Sequence, residues 1–113
     1  MNIQIFGTKK CFDTKKAQRY FKERNIKFQY IDLTQKSLSK GEYNSVKAAV
    51  GSMEALMDEK SAAYEKHFIK YLASKEAIEE KLFENPELFR TPIVRNGKQA
   101  TVGYCPDIWK TWE

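Results

Sequence analysis

A strand, a helix and a second strand written into residues 2–31 constrain this chain more than anything else in it. Asn2-Ile3-Gln4-Ile5-Phe6 alternates polar and apolar side chains and includes β-branched residues, the period of a strand. Gly7-Thr8-Lys9-Lys10 breaks the alternation. From Phe12 to Arg24 the spacing turns helical, with Ala17, Tyr20, Phe21 and Arg24 on one inward stripe. Asn25 is placed to stop that helix. Ile26-Lys27-Phe28-Gln29-Tyr30-Ile31 alternates again and predicts a second strand. The three elements form a βαβ unit, which crosses over with a right hand.

The middle of the chain, about 34–85, reads as a helical insert in several short pieces. Thr34, Ser37 and Ser39 are cap candidates for a helix over 41–50, and Gly51-Ser52 interrupts it. Tyr64, Phe68, Tyr71 and Leu72 lie at helical spacing, as do Ile78 and Leu82 behind the N-cap candidate Ser74. Strands return at the end. Pro92-Ile93-Val94-Arg95 is short and apolar, Asn96-Gly97 is a strong hairpin signal, and Gln99 to Tyr104 supplies the partner strand. Pro106 suits the first position of a last helix, with Asp107 to Trp112 as its body. The predicted order is βαβ, helical insert, ββα around a mixed sheet. With 113 residues and 13% aromatics, we expect one folded α/β domain over 1–113.

Cysteine is scarce. Cys11 and Cys105 are too few for a disulfide scaffold, and with His67 as the single histidine no zinc ligand pattern is visible. No apolar run approaches the ~18 residues of a bilayer span, and MNIQIFGTKK lacks the pattern of a secretory signal, so a cytoplasmic protein is expected. The charge is uneven. Residues 1–50 carry 11 Lys and Arg against 4 Asp and Glu, whereas residues 51–113 carry 9 against 11. A basic half of this kind fits an anion, an acidic partner or simply a solvated face. The Lys9-Lys10 and Lys15-Lys16 pairs are expected to lack interleaved exposed aromatics, which argues against direct nucleic-acid binding.

Cys11 is the residue with the most chemistry in its position. It follows a strand and a short loop and opens a helix, where unpaired N–H groups and the helix dipole favour a thiolate. Lys10 and Lys15 add positive charge in sequence, and Thr14, three residues on, offers a hydroxyl. Such a thiol is a nucleophile near neutral pH. The competing reading is a small buried apolar residue. Thr14 stands where a Cys-X-X-Cys motif has its second sulfur, so any redox cycle at Cys11 is monothiol, or draws on Cys105 or an external thiol.

Four stretches resemble the ArsC/Spx family of thioredoxin-fold proteins, relatives of glutaredoxin-linked arsenate reductase. They are Ile5-Phe6-Gly7-Thr8-Lys9-Lys10-Cys11, Asp13-Thr14-Lys15-Lys16-Ala17, Phe28-Gln29-Tyr30-Ile31-Asp32-Leu33, and Leu88 to Val94 followed by Gln99 to Tyr104. The resemblance implies a thioredoxin-like fold, Cys11 as nucleophile, and Pro92 as a cis-proline facing it. It also implies that Thr91 offers its backbone to a substrate, with Arg90 beside it. Glutathione is the implied co-substrate, with no bound cofactor, and a monomer is expected. The arginines that hold arsenate in the family are replaced: Thr91 precedes the proline, Asp58 with Glu59 stands in the insert, Tyr104 or Cys105 precedes the last helix, and Lys15 follows the cysteine. Lysine does not reproduce a bidentate guanidinium fork. The expected activity is therefore monothiol oxidoreduction of a disulfide or an oxidised small molecule, not arsenate reduction. The alternative is an Spx-like regulator that binds the C-terminal domain of the RNA polymerase α subunit without catalysis. Gly51 lies near that branch's interface glycine, and equally reads as a helix stop. Trp109, Trp112, Tyr64, Phe68 and Tyr71 are expected to pack, His67 to be a partly buried or surface histidine rather than a general base, and Cys105 to be a spare buried thiol.

Overall fold

The computed structural model describes residues 1–67 and 69–113. Its centre is a four-stranded mixed sheet. The strands are β1 (Ile3–Gly7), β2 (Phe28–Asp32), β3 (Ile93–Asn96) and β4 (Gln99–Val102), in spatial order β2-β1-β3-β4. β1 runs parallel to β2, with Ile5 opposite Tyr30, and antiparallel to β3, with Ile5 opposite Val94. Helix α1 (Phe12–Glu23) makes the crossover that a parallel pair requires. Between β2 and β3 lie α2 (Lys40–Val50), the short α3 (Ala62–Lys66) and α4 (Lys75–Glu84), and α5 (Pro106–Lys110) ends the chain. The expected βαβ, helical insert and ββα order is what forms.

Two cores flank the sheet. Ile3 and Ile5 of β1 and Val94 of β3 face α1 and α5, where they meet Ala17, Tyr20, Phe21 and Trp109. Phe6 and Ile93 point the other way, into a core with Tyr43, Val46, Leu56, Leu82 and Phe89 of the insert. β1 is thus apolar on both faces, as expected of a strand covered on two sides. The insert leaves one end of its face bare. There Gln4, in register with Gln29 and Arg95, joins them in a polar row, with hydrogen bonds of 3.2 and 2.9 Å.

Capping chemistry sets most boundaries. Ser39 and Glu42 form a reciprocal capping box at α2, and Ser74 accepts from the Ala77 N–H at α4. Asn25 stops α1 with φ 58°, and Gly51 ends α2 in the left-handed region at φ 97°. Pro106 opens α5. At the hairpin, Asn96 pairs with Gln99, so Gly97 and Lys98 are the turn residues, and Gly97 at φ 60° takes the glycine position of a II′ turn.

Several expectations need correction. Arg24 does not face inward; it is exposed at the end of α1 with its guanidinium 3.7 Å from the Tyr20 ring centroid, and the buried stripe instead begins at Thr14, one turn before Ala17. Thr34 and Ser37 do not cap α2, because Thr34 is turned back to hydrogen bond Asp32 at 2.7 Å. β4 ends at Val102 rather than Tyr104, since Gly103 bends at φ 87° and gives its N–H to the Pro92 carbonyl at 2.8 Å. α5 closes at Lys110, where Thr111 bonds back to the Ile108 carbonyl. The stripe over 64–72 is no single helix: α3 stops at Lys66, Tyr71 is 73% exposed, and Phe68 lies outside the described residues. No described helix is long and apolar enough to cross a membrane.

Candidate active site around Cys11

β1 delivers the chain to Gly7, and a tight turn, closed by the Cys11 N–H on the Thr8 carbonyl at 3.2 Å, sets Cys11 at the mouth of α1. Cys11 is the N-cap residue, with extended backbone (φ −82°, ψ 117°), and its side chain makes no capping bond. The sulfur is left half-buried over the first turn, where helix N–H groups lack intrahelical acceptors. From the other end of the sequence, the loop before β3 brings in Thr91. The Cys11 Sγ–H donates to the Thr91 carbonyl at 3.5 Å, across 80 residues of chain. The Thr91–Pro92 bond is cis and Pro92 is buried, as the family resemblance implied.

Partial burial alone would raise the Cys11 pKa. Hydrogen bonds to the thiolate from the Thr14 and Thr91 hydroxyls and the Thr14 and Asp13 N–H groups outweigh it, so the thiol sits below its ordinary value. Thr14 is the instructive member. Its hydroxyl is fully buried and has no hydrogen-bond partner in this resting geometry among the described residues. An orphaned buried donor is costly, and a thiolate above it is the acceptor it lacks. The lysines expected to support the thiolate do not figure among the causes of the shift. Lys10 and Lys15 are exposed, and the Lys15 ammonium lies over the Phe12 ring at 5.5 Å from its centroid. Solvent screens such charges heavily.

Gly7 and Tyr30 escaped the reading of the sequence. A Cβ on Gly7 would fall 2.4 Å from Thr14 Oγ1 and 2.5 Å from Cγ2, so the glycine is what lets α1 press Thr14 against β1. A glycine inside a strand is the signal that marks such close approach. Gly7→Ala should cost about 1–3 kcal/mol, because the β-branched Thr14 cannot swing aside. Chemical denaturation checks it, and the double variant Gly7→Ala/Thr14→Ala should recover most of the loss. Tyr30 on β2 has a buried hydroxyl without a partner among the described residues. Burial first, then the charges of Asp32 and Cys11, push its pKa up, which puts it in the electrostatic neighbourhood of the thiol.

Other candidates fall away from this centre. Arg90 is exposed and lines an open hollow with Ser52, Asp58, Glu59 and Lys60 on the insert side. Its charge is felt by Cys105. Cys105 is free, hydrogen bonds the Val102 carbonyl at 3.3 Å, and is pushed up by burial. His67 is committed to Glu87 at 3.2 Å. Trp109 is fully buried. No group of three metal-ligating side chains occurs among the described residues.

Residues 6–112 match the ArsC family. The chain belongs to the ArsC family. Solved structures agree on the fold. The arsenate reductase of Vibrio cholerae superposes with a TM-score of 0.84 at 24% identity, covering 96% of this chain and 94% of that one. A Staphylococcus aureus protein gives a TM-score of 0.75 at 24% identity, covering 96% of each chain. The glutaredoxin-like NrdH-redoxin of Escherichia coli gives 0.50 at 15% identity, covering 100% and 96%, which fits a thioredoxin-like fold. By sequence, no curated protein matches the chain. In this ArsC-family chain the cysteine loop, the cis-proline loop and the helical insert all occupy the places that the resemblance implied.

Proposed function

We propose that this ArsC-family protein is a monothiol oxidoreductase in which Cys11 is the nucleophile. The observation that carries the proposal is the seating of Cys11: a helix N-cap, with its thiol below the ordinary value and its sulfur against the Thr91 carbonyl. The Cys11 thiolate attacks one sulfur of a disulfide and forms a mixed disulfide, while the other sulfur leaves as a thiolate. An external thiol, with glutathione as the small-molecule candidate, then attacks the mixed disulfide and returns Cys11 as thiolate. Resolution from within the chain is disfavoured. Thr14 has no sulfur, and Cys105 is half-buried with a raised pKa. Arsenate reduction is not proposed, because Thr91, Asp58 and Lys15 stand where the family has its oxyanion-binding arginines.

The test is the alkylation rate of each cysteine against pH, followed by mass spectrometry. Cys11 should titrate below the ordinary thiol value and Cys105 above it. A Cys11 midpoint at or above that of Cys105 overturns thiol catalysis. A binding scaffold then takes its place, and titration with the isolated RNA polymerase α C-terminal domain becomes the experiment to run.

A further inference from the structure

The basic excess of the first half of the chain is not absorbed by the thiol site. Three of its eleven Lys and Arg, namely Lys16, Arg19 and Arg24, line an open groove of about 550 Å³ between α1 and α5. Tyr20 and Pro106 line its floor, Tyr104 is its exposed aromatic wall, and Lys16, Arg19 and Lys110 stand around it. Arg24 also lines it but is already engaged, by Glu113 at 3.8 Å and by the Tyr20 ring. Lys16, Arg19 and Lys110 make no ion pair among the described residues. Glu23 is the one acid in the lining.

The groove is linked to the thiol site by two short paths, one along the α1 backbone and one through hydrogen bonds. Along α1, Lys16 lies five residues after Cys11, about 7.5 Å of helix rise. Along the other wall, Tyr104 follows Gly103, whose N–H holds the Pro92 carbonyl at 2.8 Å, and Pro92 follows the Thr91 that touches Cys11. Any macromolecule that presents a sulfur to Cys11 has a flanking segment within reach of this groove.

Resting on the thiol-exchange chemistry proposed above, we infer that the α1–α5 groove docks an acidic polypeptide segment of Cys11's protein partner. Charge complementarity selects that occupant. Unpaired cations around a half-open groove attract carboxylates, accelerate encounter, and repel a basic segment. A nucleic acid fits less well. It needs a longer basic track with aromatic faces free for stacking, and the Tyr104 ring already carries the Lys16 ammonium at 5.7 Å and packs edge-on to Trp109.

The test uses the full-length protein and two synthetic peptides of equal length, one rich in glutamate and one in glutamine. Each is prepared without thiol as a fluorescent ligand, and with one cysteine as its aryl mixed disulfide. Arg19→Gln/Lys110→Gln removes two groove cations that lie outside the thiol site. We expect the glutamate peptide to bind at low salt, and to weaken about ten-fold in the double variant and again at high salt. Cys11→Ser should leave that binding unchanged. We also expect the glutamate disulfide to react with Cys11 about ten-fold faster than the glutamine disulfide, a difference lost in the double variant. Equal binding of both peptides, or binding indifferent to the double variant, overturns the docking groove while leaving Cys11 chemistry intact. Failure of Cys11 to react with either disulfide, with binding preserved, overturns the thiol reading and not the groove. Tighter binding of a single-stranded RNA oligomer overturns the groove in favour of nucleic acid. Self-association abolished by the double variant overturns it in favour of a second copy.

Discussion

Trp109→Ala should bring the protein close to its unfolding threshold, losing about 3–5 kcal/mol from a total that for domains of this kind is about 5–15 kcal/mol. Trp109 is fully buried between α5 and the sheet. It meets the Tyr20 ring at 5.1 Å and the Phe21 ring at 5.2 Å, and its indole N–H donates to Thr101 Oγ1 at 2.8 Å. Truncation opens a cavity in the smaller of the two cores. It also removes the indole N–H from the hydroxyl of Thr101, a residue 5% exposed. Trp109→Phe separates the two effects: most of the ring remains and the hydrogen bond goes, so about 1–3 kcal/mol is expected. Trp112→Ala, at a half-buried position, should cost less than either. Urea unfolding midpoints check the ranking. A Trp109→Ala loss no greater than that of Trp112→Ala would mean that α5 is not part of the cooperative core.

The features that were legible from the sequence are those that depend on near neighbours along the chain. The alternation around Ile3 and Ile5, the stop at Asn25, the cap at Ser74 and the glycine at the hairpin each follow from a few adjacent residues, and each is found. So does the placement of Cys11 at the start of a helix. What escaped was set by contact across the fold. Arg24 sits at the inward spacing, yet its guanidinium finds water and the Tyr20 ring at the helix end, where the core no longer covers it. Tyr71 also keeps helical spacing with Tyr64, but α3 ends at Lys66 and the phase is lost. Gly7 reads as a break in a strand pattern. Its purpose emerges only when α1 folds back and lays Thr14 on its Cα. The support of the thiolate is legible only in part for the same reason: Thr14 is expected and takes part, whereas Lys10 and Lys15 do not. Adjacent lysines are visible in sequence, whereas the Thr91 hydroxyl arrives from 80 residues away.

Thr14→Val should make the protein more stable and its thiol less reactive, two changes that a purely structural role would not produce together. Valine keeps the shape that packs against Gly7 and removes the hydroxyl. That hydroxyl is buried with no partner among the described residues while Cys11 is a thiol, so its loss should raise stability by about 1 kcal/mol at pH values where the thiol form holds. The same hydroxyl leads the groups that draw the Cys11 pKa down. Without it the pKa rises toward the ordinary value, and the reactivity of Cys11 toward an alkylating agent near neutral pH should fall about ten-fold, in proportion to the thiolate fraction. The sign of the linkage follows. A thiol whose folded pKa is depressed adds stability above its unfolded pKa, and that increment disappears as pH falls through the folded pKa. Wild type should therefore regain on Thr14→Val at alkaline pH, and the stability advantage of the variant should shrink or reverse there. Unfolding midpoints at neutral and alkaline pH, paired with alkylation rates, decide the matter. A variant that is equally reactive, or whose stability relative to wild type is the same at neutral and alkaline pH, would remove Thr14 from the thiolate's support. The opposite result would show a buried hydroxyl kept at a cost to the resting fold because the ionised sulfur needs it.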